Sequence, residues 1–448
     1  MQKKYYTKII YIIIFVGLIY SILNSIFDTL KYDNFRKSVN GKKIHSIVRS
    51  DINQYWSSAF NFKQDLENKK SFFKSGSEIK HSYLYPRFIA YYFLIIKENI
   101  KENESYKLNN YKFGIPIVQS LLYYIILTLL AFKLIKYFDP KISIYIIGFL
   151  SIEPTILQYH SSYWTESIYF TFLLMLIYLL LDVKEKIYST FFIGLIIGIS
   201  ALQRNVSLYL IVPIIIYLII IFKKNSIKPI LNCLAGFIFV ILFIGYSNLQ
   251  RTGDFFIIPS DQKNAPYVIL AHILNNESYE KKELKKQIWI ETNKINLENP
   301  ADRIQILNYE NDYFVKSLTN NPIGFVKLHI WKSLQALILN PFETENAYNN
   351  DKSIPKYWEK NHSQFIFKIP YSLIIYFICF VGFLTSLKER KYLNYSLIIL
   401  LIVGYYIAVL GWVGVSRYMI PNLIFLSIFF GLGLGTIIKY TLKKFQKN

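Results

Sequence analysis

SIEPTILQYHSSYWTESIYFTFLLMLIYLLLDVKEK, residues 151–186, sets polar groups at both ends of one apolar run. The run opens at Thr165 and Glu166 and closes in the charged DVKEK. A bilayer core about 30 Å thick takes roughly 17 to 25 apolar residues to cross as a helix. This run meets that length, and Pro154 marks a break in the apolar run before it.

Working outward from this stretch, further spanning runs begin near Ile9, Tyr111, Lys141, Ile187, Val206, Lys228, Phe365, Tyr392 and Arg417. The expected fold is an all-α polytopic membrane protein with about ten (10–12) transmembrane helices and two long outer loops that contain interfacial helices. Two stretches, YLYPRFIAYYFLII (83–96) and NPIGFVKLHIWKSLQALIL (321–339), stay open between lying in the interface, re-entering and spanning. The chain divides into an N-terminal transmembrane catalytic module, 1–246, with its outer loop 28–110; an outer-face region, 247–364, with an amphipathic helix; and C-terminal transmembrane helices, 365–448.

Composition agrees. Of 448 residues, 53% are hydrophobic and only 18% charged, with mean hydropathy +0.27, which excludes an ordinary soluble domain. The net charge of +22 would suggest a nucleic-acid partner in a soluble protein. Here its distribution matters more, and no nucleic-acid partner is expected. Cys233 and Cys379 both lie inside apolar runs, which argues against disulfides and thiolate metal sites. The run from Ile9 to Phe27 resembles a signal sequence without a small-residue cleavage site, so it reads as an uncleaved anchor.

Orientation follows from lysine and arginine. MQKKYYTK, KLIKYFDPK, DVKEK, KKNSIK, LKERK and KYTLKKFQKN each carry at least two of them, whereas QYHSSYW, QRN and GWVGVSR carry one or none. The positive-inside rule then puts both termini in the cytoplasm and the chain in the cytoplasmic membrane as a multi-pass protein. Asp51, Glu166, Arg204 and Arg417 consequently meet at the outer face. Ionisable groups at membrane level are costly, so their convergence marks a candidate site.

Each residue also has a plainer reading. Asp51, in RSDINQYWSSAFNF (49–62), suits the first turn of an amphipathic helix capped by Ser50, whose apolar face, Ile52, Tyr55, Trp56, Ala59 and Phe60, is expected to lie on the membrane surface. Glu166 suits a first-turn acid behind a Thr165 cap. Arg204 and Arg417 can snorkel to headgroups. Lys80, His81 and Arg87, in KHSYLYPRF, can attract anionic headgroups or grip one lipid phosphate. His160 reads first as an interfacial hydrogen-bonding residue; a divalent-metal role for it or for His81 is the second reading. No cofactor is required by the sequence. Gly194 and Gly198, in GLIIGISALQR, form a small face for close helix packing.

The order of these motifs resembles the GT-C type polytopic glycosyltransferases, specifically bacterial relatives of protein O-mannosyltransferases and aminoarabinose transferases (glycosyltransferase family 39-like). The matching elements are DINQY (51–55), Pro154 and Glu166, Gly194-Gly198-Arg204, TGDF (252–255), NP (321–322) and RYMIP (417–421). Many relatives have Arg-Pro where this chain has Arg204 and Asn205. No D-x-D element of nucleotide-sugar enzymes is present, which fits a lipid-linked donor.

The resemblance implies an inverting glycosyltransferase that moves a hexosyl or pentosyl group from a polyprenyl-phosphate donor to a glycan, lipid or protein acceptor of the cell envelope. Asp51 would be the general base, with Glu166 orienting the acceptor or helping to hold a metal. Lys80, Arg87, Arg204 and Arg417 would neutralise the leaving phosphate, and Tyr55 would support the substrate. Two other classes compete: a polymerase or ligase of lipid-linked polysaccharide, and a non-enzymatic flippase or transporter. Internal repeats and midplane polar breaks, which would favour a transporter, are not evident in the sequence.

Overall fold

The computed structural model describes residues 2–34, 50–75, 83–97, 114–160, 163–253, 255, 257, 274–275, 279–295, 300–338, 362–410 and 418–446. The described regular elements are all helical. We label the longer ones α1 (Gln2–Asn34), α2 (Ser50–Glu67), α3 (Leu84–Ile95), α4 (Gly114–Tyr137), α5 (Pro140–Ile152), α6 (Pro154–His160), α7 (Thr165–Leu180), α8 (Ser189–Gln203), α9 (Ile211–Phe222) and α10 (Ile227–Thr252). The later helices are α11 (Tyr279–Thr292), α12 (Pro300–Asn320), α13 (Pro322–Ile338), α14 (His362–Lys388), α15 (Leu393–Leu410) and α16 (Pro421–Phe445).

Seven of the described helices are long and apolar enough to cross a membrane, and the bent pair α5–α6 raises this to eight. α7 and α8 are apolar but shorter, at 16 and 15 residues. A rise of about 1.5 Å per residue gives each roughly 23 Å. Reaching the expected ten requires both of these to span as well. Among the two open stretches, α3 has 12 residues, or roughly 18 Å, and falls short of a span. α13, with 17, is not among the seven either.

Local chemistry explains the breaks. Asp139 caps α5 by accepting a 2.8 Å hydrogen bond from the Lys141 amide, with Pro140 in the first helical position. At the other end of α5, Pro154 disfavours helical geometry in the residue before it. Glu153 is accordingly extended, and the chain turns by 46° into α6. α10 ends on Gly253, whose φ of +82° a side chain would strain. The TG of TGDF is therefore a helix stop.

One large core joins α1, α4, α5, α7, α8, α9, α15 and α16. A close backbone approach lies between α8 and α10, where a methyl group on Gly194 would overlap the Cys233 carbonyl and one on Gly198 would meet Val240. The small face read from the sequence thus has a physical use. Gly194→Leu should therefore cost more than the roughly 1–3 kcal/mol of ordinary overpacking, because the obstacle is backbone. Little of it should elute as a monodisperse species from detergent gel filtration. Gly148→Ala, with nothing within 4 Å of the added carbon, should elute as wild type and melt no lower.

A second, smaller core caps one end of this bundle. Tyr55, Trp56, Ala59 and Phe62 of α2 pack on Tyr85, Ile89, Ala90 and Phe93 of α3, and the pair reaches Ile115, Tyr163 and Ile168. The face expected to rest in the bilayer surface is instead covered by protein. Trp56 meets the Phe93 and Tyr163 rings edge-on at 5.2 and 6.3 Å.

Candidate active site at one end of the bundle

The polar groups of α7 separate to its two ends. Beyond its C-terminus, Asp182 pairs with Lys133 at 2.8 Å and with Lys186 at 3.5 Å. At its N-terminus, Glu166 is fully buried and its Oε1 lies 2.6 Å from Arg204 Nη1. The two ends therefore carry different chemistry: a lysine-rich clasp at one, an acid–arginine pair at the other.

Several elements build the Glu166 end. Trp164, not Thr165, stands at the N-cap of α7, and no side chain caps there. Thr165 is free to donate its hydroxyl to Glu166 Oε2 at 3.0 Å, while Gln203 Nε2 donates to the Thr165 carbonyl at 2.8 Å. Arg204 ends α8 in extended geometry, with φ −146° and ψ 118°. A following proline would impose that conformation; here Asn205 follows, and a 3₁₀ turn over Asn205–Leu210 continues the chain. Departing from Arg-Pro therefore leaves the helix end in place.

Aromatic rings enclose the guanidinium. Its carbon lies 5.1 Å from the Tyr418 ring centroid and 5.8 Å from that of Tyr169. At such distances the ring quadrupoles favour the cation. Tyr169 and Tyr406 share a hydroxyl–hydroxyl bond, and Ser207 Oγ donates to Tyr169 Oη at 2.6 Å. α7, α8, α15 and the turn before α16 thus meet at one cation. Tyr169 and Tyr406 had no sequence signal beyond their frequency, whereas Tyr418 is the second position of the RYMIP element.

The helix that carries Asp51 comes near. Asp51 lies in the first turn of α2, one turn before Tyr55. The Tyr55 ring meets Tyr85 edge-on at 5.3 Å, and Tyr85 donates to Gln119 Oε1 at 2.7 Å. Burial pushes the Tyr85 phenol well above its ordinary value, and Tyr163, Tyr55 and Glu166 push the same way. Tyr85 therefore stands between the Asp51 helix and Glu166. Lys80, His81 and Arg417 lie outside the described residues.

Arg87 is placed differently from Arg204. It is 7% exposed, with Nη1 donating to the Tyr83 carbonyl at 2.8 Å and the guanidinium 3.4 Å from the Tyr83 ring. Phe62 lies under it at 4.6 Å. Burial lowers its pKa to about 10, with nearby Arg251 adding to the effect, so it stays cationic at neutral pH. Much of its bonding is spent holding α3 to α2. Arg251, whose guanidinium lies 5.6 Å from the same Tyr83 ring, was not singled out in the sequence because a basic residue in a last helical turn is ordinary.

His160 is fully buried. Its Nδ1 lies 2.6 Å from Ser167 Oγ, and its ring packs at 4.3 Å against the Tyr123 ring, tilted by 50°. Among the described residues no three His, Cys, Asp or Glu side chains come together as a metal site would need.

Residues 105–246, which hold Glu166 and Arg204, match the family model of dolichyl-phosphate-mannose-protein mannosyltransferase. No curated protein matches the chain significantly. Among solved structures, the oligosaccharyltransferase of Archaeoglobus fulgidus with zinc and sulfate is similar at TM-score 0.50 and 11% identity, over 95% of this chain and 49% of that one. The same archaeal protein, AglB, in complex with an inhibitory peptide and a dolichol-phosphate, also gives TM-score 0.50 and 11% identity, over 95% and 50%. This chain thus spans about half the length of the solved chains it matches. Residues 105–246 are thus similar to the dolichyl-phosphate-mannose-protein mannosyltransferases, and the chain as a whole shares the polytopic helical fold of the archaeal oligosaccharyltransferase.

Proposed function

We propose that this protein transfers a sugar from a polyprenyl-phosphate donor to a cell-envelope acceptor at the outer face of the cytoplasmic membrane, with inversion. The observation that carries this is the buried Glu166–Arg204 pair inside the family-matched segment, with the Asp51 helix packed beside it through Tyr55 and Tyr85. The dolichol-phosphate held by the archaeal neighbour supports a lipid-phosphate donor of this kind.

Asp51 takes the proton from the acceptor hydroxyl as that oxygen attacks the anomeric carbon. The bond from that carbon to the phosphate oxygen breaks, and polyprenyl phosphate leaves with the electron pair. Arg204 is the described cation best placed to neutralise the phosphate, since Glu166 and the tyrosine rings fix its fork. Lys80 and Arg417 complete the cationic set, and Arg87 steadies the α2–α3 cap.

The test is a discharge assay. Membranes containing the protein, supplied with polyprenyl-phosphate sugar and envelope extract, should release polyprenyl phosphate and form a glycoside of inverted configuration. Release no faster than in membranes lacking the protein would sink the proposal, and retained configuration would sink the single displacement.

A further inference from the structure

Four carboxylates are buried among the described residues: Glu153, Glu166, Asp182 and Glu310. Three of them face a cation, Arg204 for Glu166, Lys133 for Asp182 and Lys286 for Glu310. Glu153 differs. Its Oε1 accepts from the amide of Thr155 at 3.2 Å and from the Thr155 hydroxyl, and its Oε2 accepts from the Tyr371 hydroxyl. A buried carboxylate held only by neutral donors keeps a large uncompensated desolvation cost.

Glu153 also opens onto space. It lines a narrow, half-open cleft where the α5–α6 break meets the C-terminal end of α13, the first half of α14 and the start of α16. Tyr371, Tyr376 and Ser372 line it with Glu153, and Leu337 and Leu423 supply apolar wall. The enclosed space takes a group the size of one ammonium, with the rest of its carrier lying outside the mouth. An acid at the bottom and phenol rings at the side are complementary to a positive group, which gains from both charge and ring quadrupole.

We propose that this cleft binds a primary ammonium group, carried by an amino sugar or an aminated lipid headgroup, with Glu153 as its counter-charge. Carboxylate oxygens reward N–H donors, which a quaternary amine lacks. The hydroxyls around Glu153 and the absence of a His, Cys, Asp and Glu cluster among the described residues favour an ammonium over a metal ion. The site stands apart from the Glu166–Arg204 pair but touches the same turn: Met419 lines the cleft, and its neighbour Tyr418 covers Arg204.

The test uses the purified full chain in detergent. Saturation-transfer NMR compares glucosamine with glucose, and native mass spectrometry compares phosphatidylethanolamine with phosphatidylcholine. In at least one arm the ammonium probe should bind about tenfold more tightly than its partner, and that arm identifies the source. Glu153→Gln should erase the preference, since the amide keeps the shape and one acceptor oxygen but carries no charge. Ile375→Phe, which enlarges another wall residue and leaves the carboxylate in place, should block binding. Equal binding within both pairs, no binding of either ammonium probe, or a preference that survives both substitutions overturns the proposal. None of these readouts requires turnover, so they are independent of sugar transfer.

Discussion

Membranes carrying Asp51→Asn should discharge the polyprenyl-phosphate donor about 10²- to 10⁴-fold more slowly than wild type, at unchanged protein level. That range is what a positioned general base contributes. Asparagine keeps the size and a carbonyl acceptor but cannot take a proton, so the loss reports chemistry and not shape. Asp51 also lies in the first turn of α2, where a negative charge gains at most about 1 kcal/mol from the helix dipole at an exposed end. A purely dipolar role would therefore show as a small drop in melting temperature with transfer intact. Serine at the same position, which keeps a helix-start preference without the carboxylate, should be as slow as asparagine. Normal transfer by either variant would remove Asp51 from the mechanism.

What the sequence made legible was local. Pro154, the Gly194–Gly198 face, the helix end at Arg204 and the first-turn position of Asp51 depend on neighbours a few residues away, and each shows in periodicity or backbone restriction. The membrane class followed from composition and run length for the same reason. Direction was harder. The aromatic face of α2 was visible, but whether bilayer or protein covers it depends on α3 and Tyr163. The Glu153–Tyr371 bond joins positions 218 apart, and no spacing rule reaches across that distance. Nor does a pattern of apolar runs show that Tyr418, after the last loop, will cover the guanidinium of Arg204. In an 18% aromatic chain, individual tyrosines carry little information until their partners are known.

Substitution of the buried pair should separate two roles of Arg204. Arg204→Gln leaves Glu166 as a buried charge facing Thr165 and no guanidinium, which should cost about 3–5 kcal/mol of stability. Glu166→Gln should cost less, because Arg204 remains cationic, is about 10% exposed, and keeps the Tyr418 and Tyr169 rings. In the double variant Glu166→Gln/Arg204→Gln the stranded charge is gone. Its detergent melting temperature should therefore exceed that of Arg204→Gln alone, the non-additivity expected of residues in contact. Transfer should not follow stability. If Arg204 neutralises the leaving phosphate, the double variant stays about 10²- to 10³-fold slow, as removal of one preorganised transition-state donor predicts. If Arg204 only anchors Glu166, recovered stability should bring recovered transfer. The contrast between the melting curve and the discharge rate in the same double variant therefore decides whether this buried pair is a strut or part of the reaction.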